Sequence, residues 1–215
     1  MPQGYFTLVL HAHLPFVRHP EHPEFLEEGW FFEALTETYL PLLISFERLA
    51  SEGVDFRVTL NLSPPLCEMM VDPMLQERYL GQLARVEHLA SREAAAWSED
   101  TPIGRLARHY LAEFGACRRR FEAADRNVLS GFRALQDHGL VEIITCAATH
   151  GLLPLMRTDE AVRAQIEVAA ANYRKHFGRD ARGIWLPECA YRPGLEDHLR
   201  RAGIRFFFTD AHALM

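Results

Sequence analysis

Apolar and polar positions along the chain alternate between two patterns. Five short runs are nearly continuously apolar: residues 5–10 (YFTLVL), 56–60 (FRVTL), 140–145 (LVEIIT), 183–186 (GIWL) and 204–208 (IRFFF). Short runs rich in β-branched and aromatic residues predict strands, and the lack of clean polar alternation predicts strands covered on both faces, as in a parallel sheet. Between them the apolar positions recur at helical spacing. Over residues 28–50, Phe31, Leu35, Tyr39, Leu42, Leu43, Phe46 and Leu49 share a face, Gly53 follows the end, and Pro41 predicts a kink. Asp72 and Pro73 open a helix predicted to run to about Ala90; Thr158, Asp159 and Glu160 open another that stops before Gly178. Alternating strand and helix predict β/α units around a parallel sheet. The crossover from Leu66 to Gly139 far exceeds the dozen or so residues such a connection needs. It predicts a helical insertion at about 67–138 with at least two helices, the second spanning about 103–138. No repeat, low-complexity tract or Gly/Ser linker marks a domain boundary.

Composition narrows the class. With 215 residues, 48% of them hydrophobic, the chain can bury a substantial core. Acidic residues outnumber basic ones, 29 to 23, so there is no basic field to hold a phosphate backbone, and nucleic acid is not an expected partner. No apolar run approaches the roughly 20 residues that span a bilayer, and no basic segment precedes the first apolar stretch. The expectation is a cytoplasmic protein without membrane association. Cys67, Cys117, Cys146 and Cys189 are widely spaced and form no C-x-x-C pair, so they are expected to be reduced and mostly packed. Lys175 is the only lysine among the 23 basic residues, which fits either a GC-rich genome or heat-stable ion pairing.

Candidate chemistry gathers where a parallel sheet places it. Loops at the carboxyl ends of parallel strands face one rim. After the first run stand His11-Ala12-His13-Leu14-Pro15-Phe16, and after the second Asn61-Leu62-Ser63-Pro64-Pro65. The third is followed by Thr149-His150-Gly151, the fourth by Pro187-Glu188-Cys189-Ala190-Tyr191, and the fifth by Thr209-Asp210-Ala211-His212. The opposite ends carry ordinary caps and turns. Glu188 is the leading candidate: Pro187 precedes it and Trp185 and Tyr191 flank it, a setting that fixes a carboxylate at a rim. The competing reading makes Glu188 a cap for a helix whose first turn holds Pro193 and Glu196.

His11 and His13, two residues apart on an extended segment, share a face. They suit a metal site completed by His150, His212, Asp210 or Glu188, hydrogen bonding to hydroxyls beside a carboxylate, or a plain half-buried role. Trp30 enters the first long helix and reads as core or as an exposed stacking platform. Trp97 reads as a loop anchor, Glu33 and Glu37 as solvated charge, and the run Arg118, Arg119, Arg120 as a solvated face with acidic neighbours.

These residues carry a resemblance. The segments HAHLPF at 11–16, EIITCAATH at 142–150 and WLPECAY at 185–191 resemble the motifs of glycoside hydrolase family 57, and HAHLPF, CAATHGLLP and WLPECAYRPG together resemble its branching-enzyme subgroup more than its amylases or 4-α-glucanotransferases. The resemblance implies a (β/α)7-type barrel, of which residues 1–215 supply about the first five parallel strands as the N-terminal part of a catalytic domain. It also implies double displacement on α-glucan (amylose or glycogen), with Glu188 as nucleophile, no cofactor and no metal. His11, His13, Trp30, His150, Trp185, Tyr191, Asp210 and His212 are the expected substrate contacts.

The family's general acid is an aspartate well downstream, expected beyond residue 215. Asp210, the other rim carboxylate, does not match that motif, so residues 1–215 alone are expected to be catalytically incomplete. Three alternatives stay open: an amylase or 4-α-glucanotransferase of the same family, a metal-dependent carbohydrate hydrolase or deacetylase using His11 and His13, and a glucan-binding remnant.

Overall fold

The structure, a computed structural model, describes residues 3–211. His212 lies outside the described residues. The elements in chain order are β1 (Val9–Ala12), α1 (Glu28–Ala34), a π-helical turn (Leu35–Tyr39), α2 (Leu40–Ser51), β2 (Val58–Leu62), α3 (Pro64–Met70), α4 (Pro73–Ala96), α5 (Pro102–Ala123) and α6 (Val128–Asp137). Then come β3 (Val141–Cys146), a 3-10 turn (Leu153–Leu155), α7 (Asp159–Phe177), β4 (Gly183–Trp185), a 3-10 turn (Pro187–Cys189), α8 (Leu195–Arg201) and β5 (Phe206–Phe208).

The five strands form one parallel sheet in the order β1-β2-β3-β4-β5, as expected of successive β/α units in the first part of a (β/α)7-type barrel. The strands are shifted or shortened by one to four residues at their ends, most in β1 and β2. β1 starts at Val9, not Tyr5, and Tyr5 and Phe6 are 92% and 90% exposed. Both β1 and β2 run two residues further towards the rim, where His11 pairs with Asn61 and Ala12 with Leu62. A strand is bounded by its ladder partners, and apolar content marks it only approximately.

The helices deviate for local reasons. The segment 28–50 is interrupted by the π turn immediately before Pro41, with the Leu40 N–H reaching back to the Leu35 carbonyl. Proline offers no N–H and crowds the carbonyl four residues back, and a wider turn relieves both problems. α4 continues to Ala96, beyond the expected Ala90, and Asp72 caps it by accepting from the Leu75 N–H at 3.0 Å. The expected single helix over 103–138 is two helices. Asp125 (φ 49°) and Arg126 (φ 64°) turn left-handed, the Arg126 N–H bonds to the Phe121 carbonyl, and Asn127 Oδ1 accepts from the Ser130 N–H to start α6. Aspartate fills the left-handed position that usually announces itself as glycine.

Two compact units emerge. One holds the stretch ending at Phe16, Val54–Glu68 and the stretch beginning at Phe132; its core includes Leu60, Leu62, Ile143, Ile144, Ile166, Phe177 and Ile184, all buried. The other holds Val17–Gly53 and Met69–Gly131, packed around Phe31, Leu35, Leu43, Tyr79, Leu83 and Phe121. In this second unit the arginine run is not a solvated face. Arg118 grips both Glu87 oxygens at 3.0 and 2.8 Å and Arg120 both Glu47 oxygens at 2.7 and 2.6 Å, leaving Arg119 exposed. Alternate residues of a helix face different neighbours, and α5 has α4 on one side and α2 on another. Trp97 caps the end of α4, its indole N–H donating to Glu93. Cys67, Cys117 and Cys146 are buried thiols, and Cys189 is half-buried.

Candidate active site

The sheet unit carries candidate residues at the ends of its five strands. His11, within β1, donates its Nδ1–H to Asn61 Oδ1 at 2.7 Å. The direction follows from Asn61, whose amide nitrogen donates to the carbonyls of Ile144 and Thr145, leaving only its oxygen to accept. Asn61 is fully buried, so this network fixes the His11 ring from beneath. His13 Nδ1 meets the hydroxyl of buried Ser63 at 3.0 Å.

From the end of β3 comes His150. Its turn is pinned by Gln165 of α7, whose side chain accepts from the Thr149 N–H at 2.9 Å and donates to the Thr149 hydroxyl at 2.8 Å. His150 adopts φ 57°, and its Nδ1 lies 3.0 Å from Cys146 Sγ. The His13 and His150 rings stack 3.7 Å apart at 10°, and His11 stacks on Trp185 at 4.5 Å. The result is a layered wall of three imidazoles and an indole.

Glu188 stands at the end of β4. Buried Pro187 begins its turn, and both Glu188 (φ 56°) and Cys189 (φ 54°) are left-handed. The Cys189 N–H bonds to the Leu186 carbonyl at 2.8 Å and the Thr209 hydroxyl to the Cys189 carbonyl at 3.1 Å. The Glu188 carboxylate is 79% exposed and lies 3.7 Å from His150 Nε2. It does not cap α8: Gly194 is the capping residue, and Glu196 takes the Gly194 N–H at 2.8 Å. Tyr191 stacks on Phe207 and donates its hydroxyl to Glu196 at 2.9 Å. Asp210 shares with Glu188 the lining of a cavity of about 500 Å³, together with Leu152, Pro154, Leu155, Cys189, Ala190 and Tyr191.

Burial lowers the pKa of all three histidines, that of His13 to about 4; repulsion from neighbouring imidazoles adds to the effect at His13 and His150, while Asn61 and Glu188 oppose it at His11 and Glu188 opposes it at His150. At neutral pH they are uncharged rings that donate or accept single hydrogen bonds. No group of three or more His, Cys, Asp or Glu side chains among the described residues is placed to hold a metal ion. Asn61, Ser63 and Cys146 each engage one ring nitrogen of the three histidines.

His11, His13, His150, Trp185, Glu188, Tyr191 and Asp210 thus lie at the strand ends of one unit. Trp30 belongs to the other unit and is 51% exposed, so it is not a core residue. Cys146 and Gln165 were not singled out in the sequence. The one available signal was a thiol four positions before a histidine, which is weak because the contact depends on how the intervening turn folds.

The strand ends of this parallel β/α sheet thus combine a presented carboxylate with neutral imidazoles. The glycosyl hydrolase family 57 model matches residues 7–215, and the chain belongs to that family. It is 40% identical to a 1,4-alpha-glucan branching enzyme of Thermococcus kodakarensis, over 99% of this chain and 33% of that protein. Among solved structures it is similar to a novel alpha-amylase from Thermotoga maritima (TM-score 0.92, 43% identity, 96% of this chain and 40% of that one). It is also similar to a branching enzyme of the same family from Pyrococcus horikoshii (TM-score 0.90, 37% identity, 97% and 42%). The chain spans about a third of the length of the first of these relatives.

Proposed function

We propose that this chain is the nucleophile-bearing, N-terminal part of a retaining α-1,4-glucan-active enzyme, specifically a 1,4-α-glucan branching enzyme. The observation that carries the reading is Glu188, an exposed carboxylate on a left-handed turn at the end of a central strand, with a neutral imidazole beside it. Such a group can attack the anomeric carbon of an α-linked glucosyl unit and form a β-linked glycosyl-enzyme as the aglycone leaves. A second carboxylic acid must protonate the departing oxygen from about 5 to 5.5 Å away. We place that acid in sequence beyond Met215, in the remainder of the barrel domain.

Transfer to the 6-hydroxyl of another glucan, in place of water, then makes an α-1,6 branch. His11, His13, His150, Trp185, Tyr191 and Asp210 are the proposed sugar contacts, with no metal and no cofactor. His212, outside the described residues, belongs to the same proposed set by its place in the sequence. The proposed setting is cytoplasmic glycogen synthesis. Branching is favoured over hydrolysis by the relatives named branching enzymes, while the similarity to an alpha-amylase makes hydrolysis the measured alternative.

The test uses the intact protein. Glu188→Gln keeps the shape and removes the charge; it should lower turnover by roughly three orders of magnitude with the fold unchanged. In Glu188→Ala supplied with an activated α-glucoside, azide should enter from the vacated side and give the β-glycosyl azide. The α-azide, or near-normal turnover of Glu188→Gln, would show that another residue is the nucleophile.

A further inference from the structure

We propose that Cys146 is a positioning residue that selects the tautomer of His150, so that the His150 Nε2–H faces the Glu188 carboxylate; the inference deepens, and for its kinetic consequence rests on, the reading of Glu188 as nucleophile. Cys146 ends β3, is fully buried, and its sulfur lies 3.0 Å from His150 Nδ1. Two arrangements fit that distance. Either the thiol donates S–H to a bare Nδ1, leaving the ring proton on Nε2, or Nδ1–H donates to the sulfur and Nε2 is bare.

Two features select the first. Burial pushes the thiol up to about 12, so the S–H proton is always present, and Nδ1 is an acceptor within reach. On the far side of the ring, Nε2 lies 3.7 Å from Glu188 Oε1, where a proton is attracted and a lone pair repelled. The ring cannot readily escape by flipping. His13 stacks on it at 3.7 Å, and the left-handed turn at His150 sets its direction.

The consequence is a fixed donor next to the candidate nucleophile. The Nε2–H, 3.7 Å from Oε1, attracts the carboxylate and closes to a hydrogen bond when the exposed Glu188 side chain turns toward it, leaving Oε2 to attack while His150 stays neutral. Removing the thiol allows the Nδ1–H tautomer, which turns the Nε2 lone pair of His150 toward Glu188 while every side chain proposed to contact sugar is kept. Cys146→Ala should therefore lower kcat about tenfold with little change in KM, the size of one lost hydrogen bond. Cys146→Ser, which keeps an O–H donor at the same place, should restore most of it.

The deciding measurement is spectroscopic and independent of activity. Proton–nitrogen correlation spectra of the intact protein labelled with ¹⁵N-histidine distinguish the two neutral tautomers. The wild type and Cys146→Ser should show His150 as Nε2–H, and Cys146→Ala a mixture. An Nδ1–H tautomer in the wild type overturns the proposal without recourse to any variant, as does an unchanged tautomer in Cys146→Ala. If Glu188→Gln keeps its activity while the wild-type tautomer is Nε2–H, the nucleophile assignment fails and the tautomer assignment stands.

Discussion

Three residues at the candidate site, His150, Glu188 and Cys189, carry φ angles of 57°, 56° and 54°, a region that costs a side-chain-bearing residue roughly 1 kcal/mol or more. Such strain persists only where surrounding contacts enforce it, here the Leu186 and Thr209 hydrogen bonds to Cys189. Cys189→Gly should accordingly leave the protein at least as resistant to urea as the wild type, because relief of strain offsets the entropy that glycine adds to the unfolded chain. A clear loss would mean that the Cys189 side chain contributes more than its backbone costs.

Protonation acts at the same scale. The folded pKa of His13, about 4, lies below the 6.5 of an unfolded histidine, so between those values the unfolded state binds more protons. The stability contribution of His13 is complete above pH 6.5, falls as pH drops toward 4, and is level below that; the lowered values of His11 and His150 act in the same direction. Urea midpoints from pH 7 to 4 should decline less steeply in His13→Asn than in the wild type. The identities of these residues were legible at the strand ends. Their backbone strain was not, because it depends on turns held by distant partners.

Elements were read best where their signals are local. α7 starts after Thr158, whose hydroxyl accepts from the Ala161 N–H, and stops at Gly178 with φ 68°, both as anticipated. Thr158→Ala should cost about 1 kcal/mol through the lost cap. Gly178→Ala should cost a similar ~1 kcal/mol, since a Cβ there is left-handed and meets Arg133 at 3.1 Å. Thermal melts of the two variants check both values.

This helix also carries Gln165, so its stability bears on the site. Gln165→Leu should speed hydrogen exchange of the Thr149 amide while amides in the middle of α7 keep their protection, because the side chain holds the turn and not the helix. The break between α5 and α6 escaped the sequence because Asp125, and not glycine, takes the left-handed position. The offset in β1 escaped because ladder partners, and not hydrophobicity, bound a strand.

At the scale of the whole molecule the chain makes two units, each with its own core, without any linker composition where the chain passes between them. The second unit contains a buried charge. Glu28 is 1% exposed, accepts from Arg78 Nη1 at 2.5 and 2.7 Å, and also accepts the His19 N–H at 3.0 Å. Glu28→Ala leaves Arg78 with only the His19 and His22 carbonyls as acceptors and should cost about 3 kcal/mol, with Glu28→Ala/Arg78→Ala losing less than the sum of the single changes; a double-mutant cycle in urea measures this.

In the sequence, Glu28 is only one of two adjacent acids, beside Glu27. The sequence by itself determined the β/α order, the helix caps and the chemical types at the strand ends, since each follows from spacings of a few residues and from the rule that parallel strands share a functional rim. Only the tertiary structure decided that His11 sits within its strand on Asn61, that Glu28 is sealed by Arg78, and that a thiol faces His150. The first two join residues 50 positions apart. The third is only four positions apart but runs through a left-handed turn. Contacts of these kinds have no local periodicity to betray them, because register, burial and turn geometry come into being only when the strands pair.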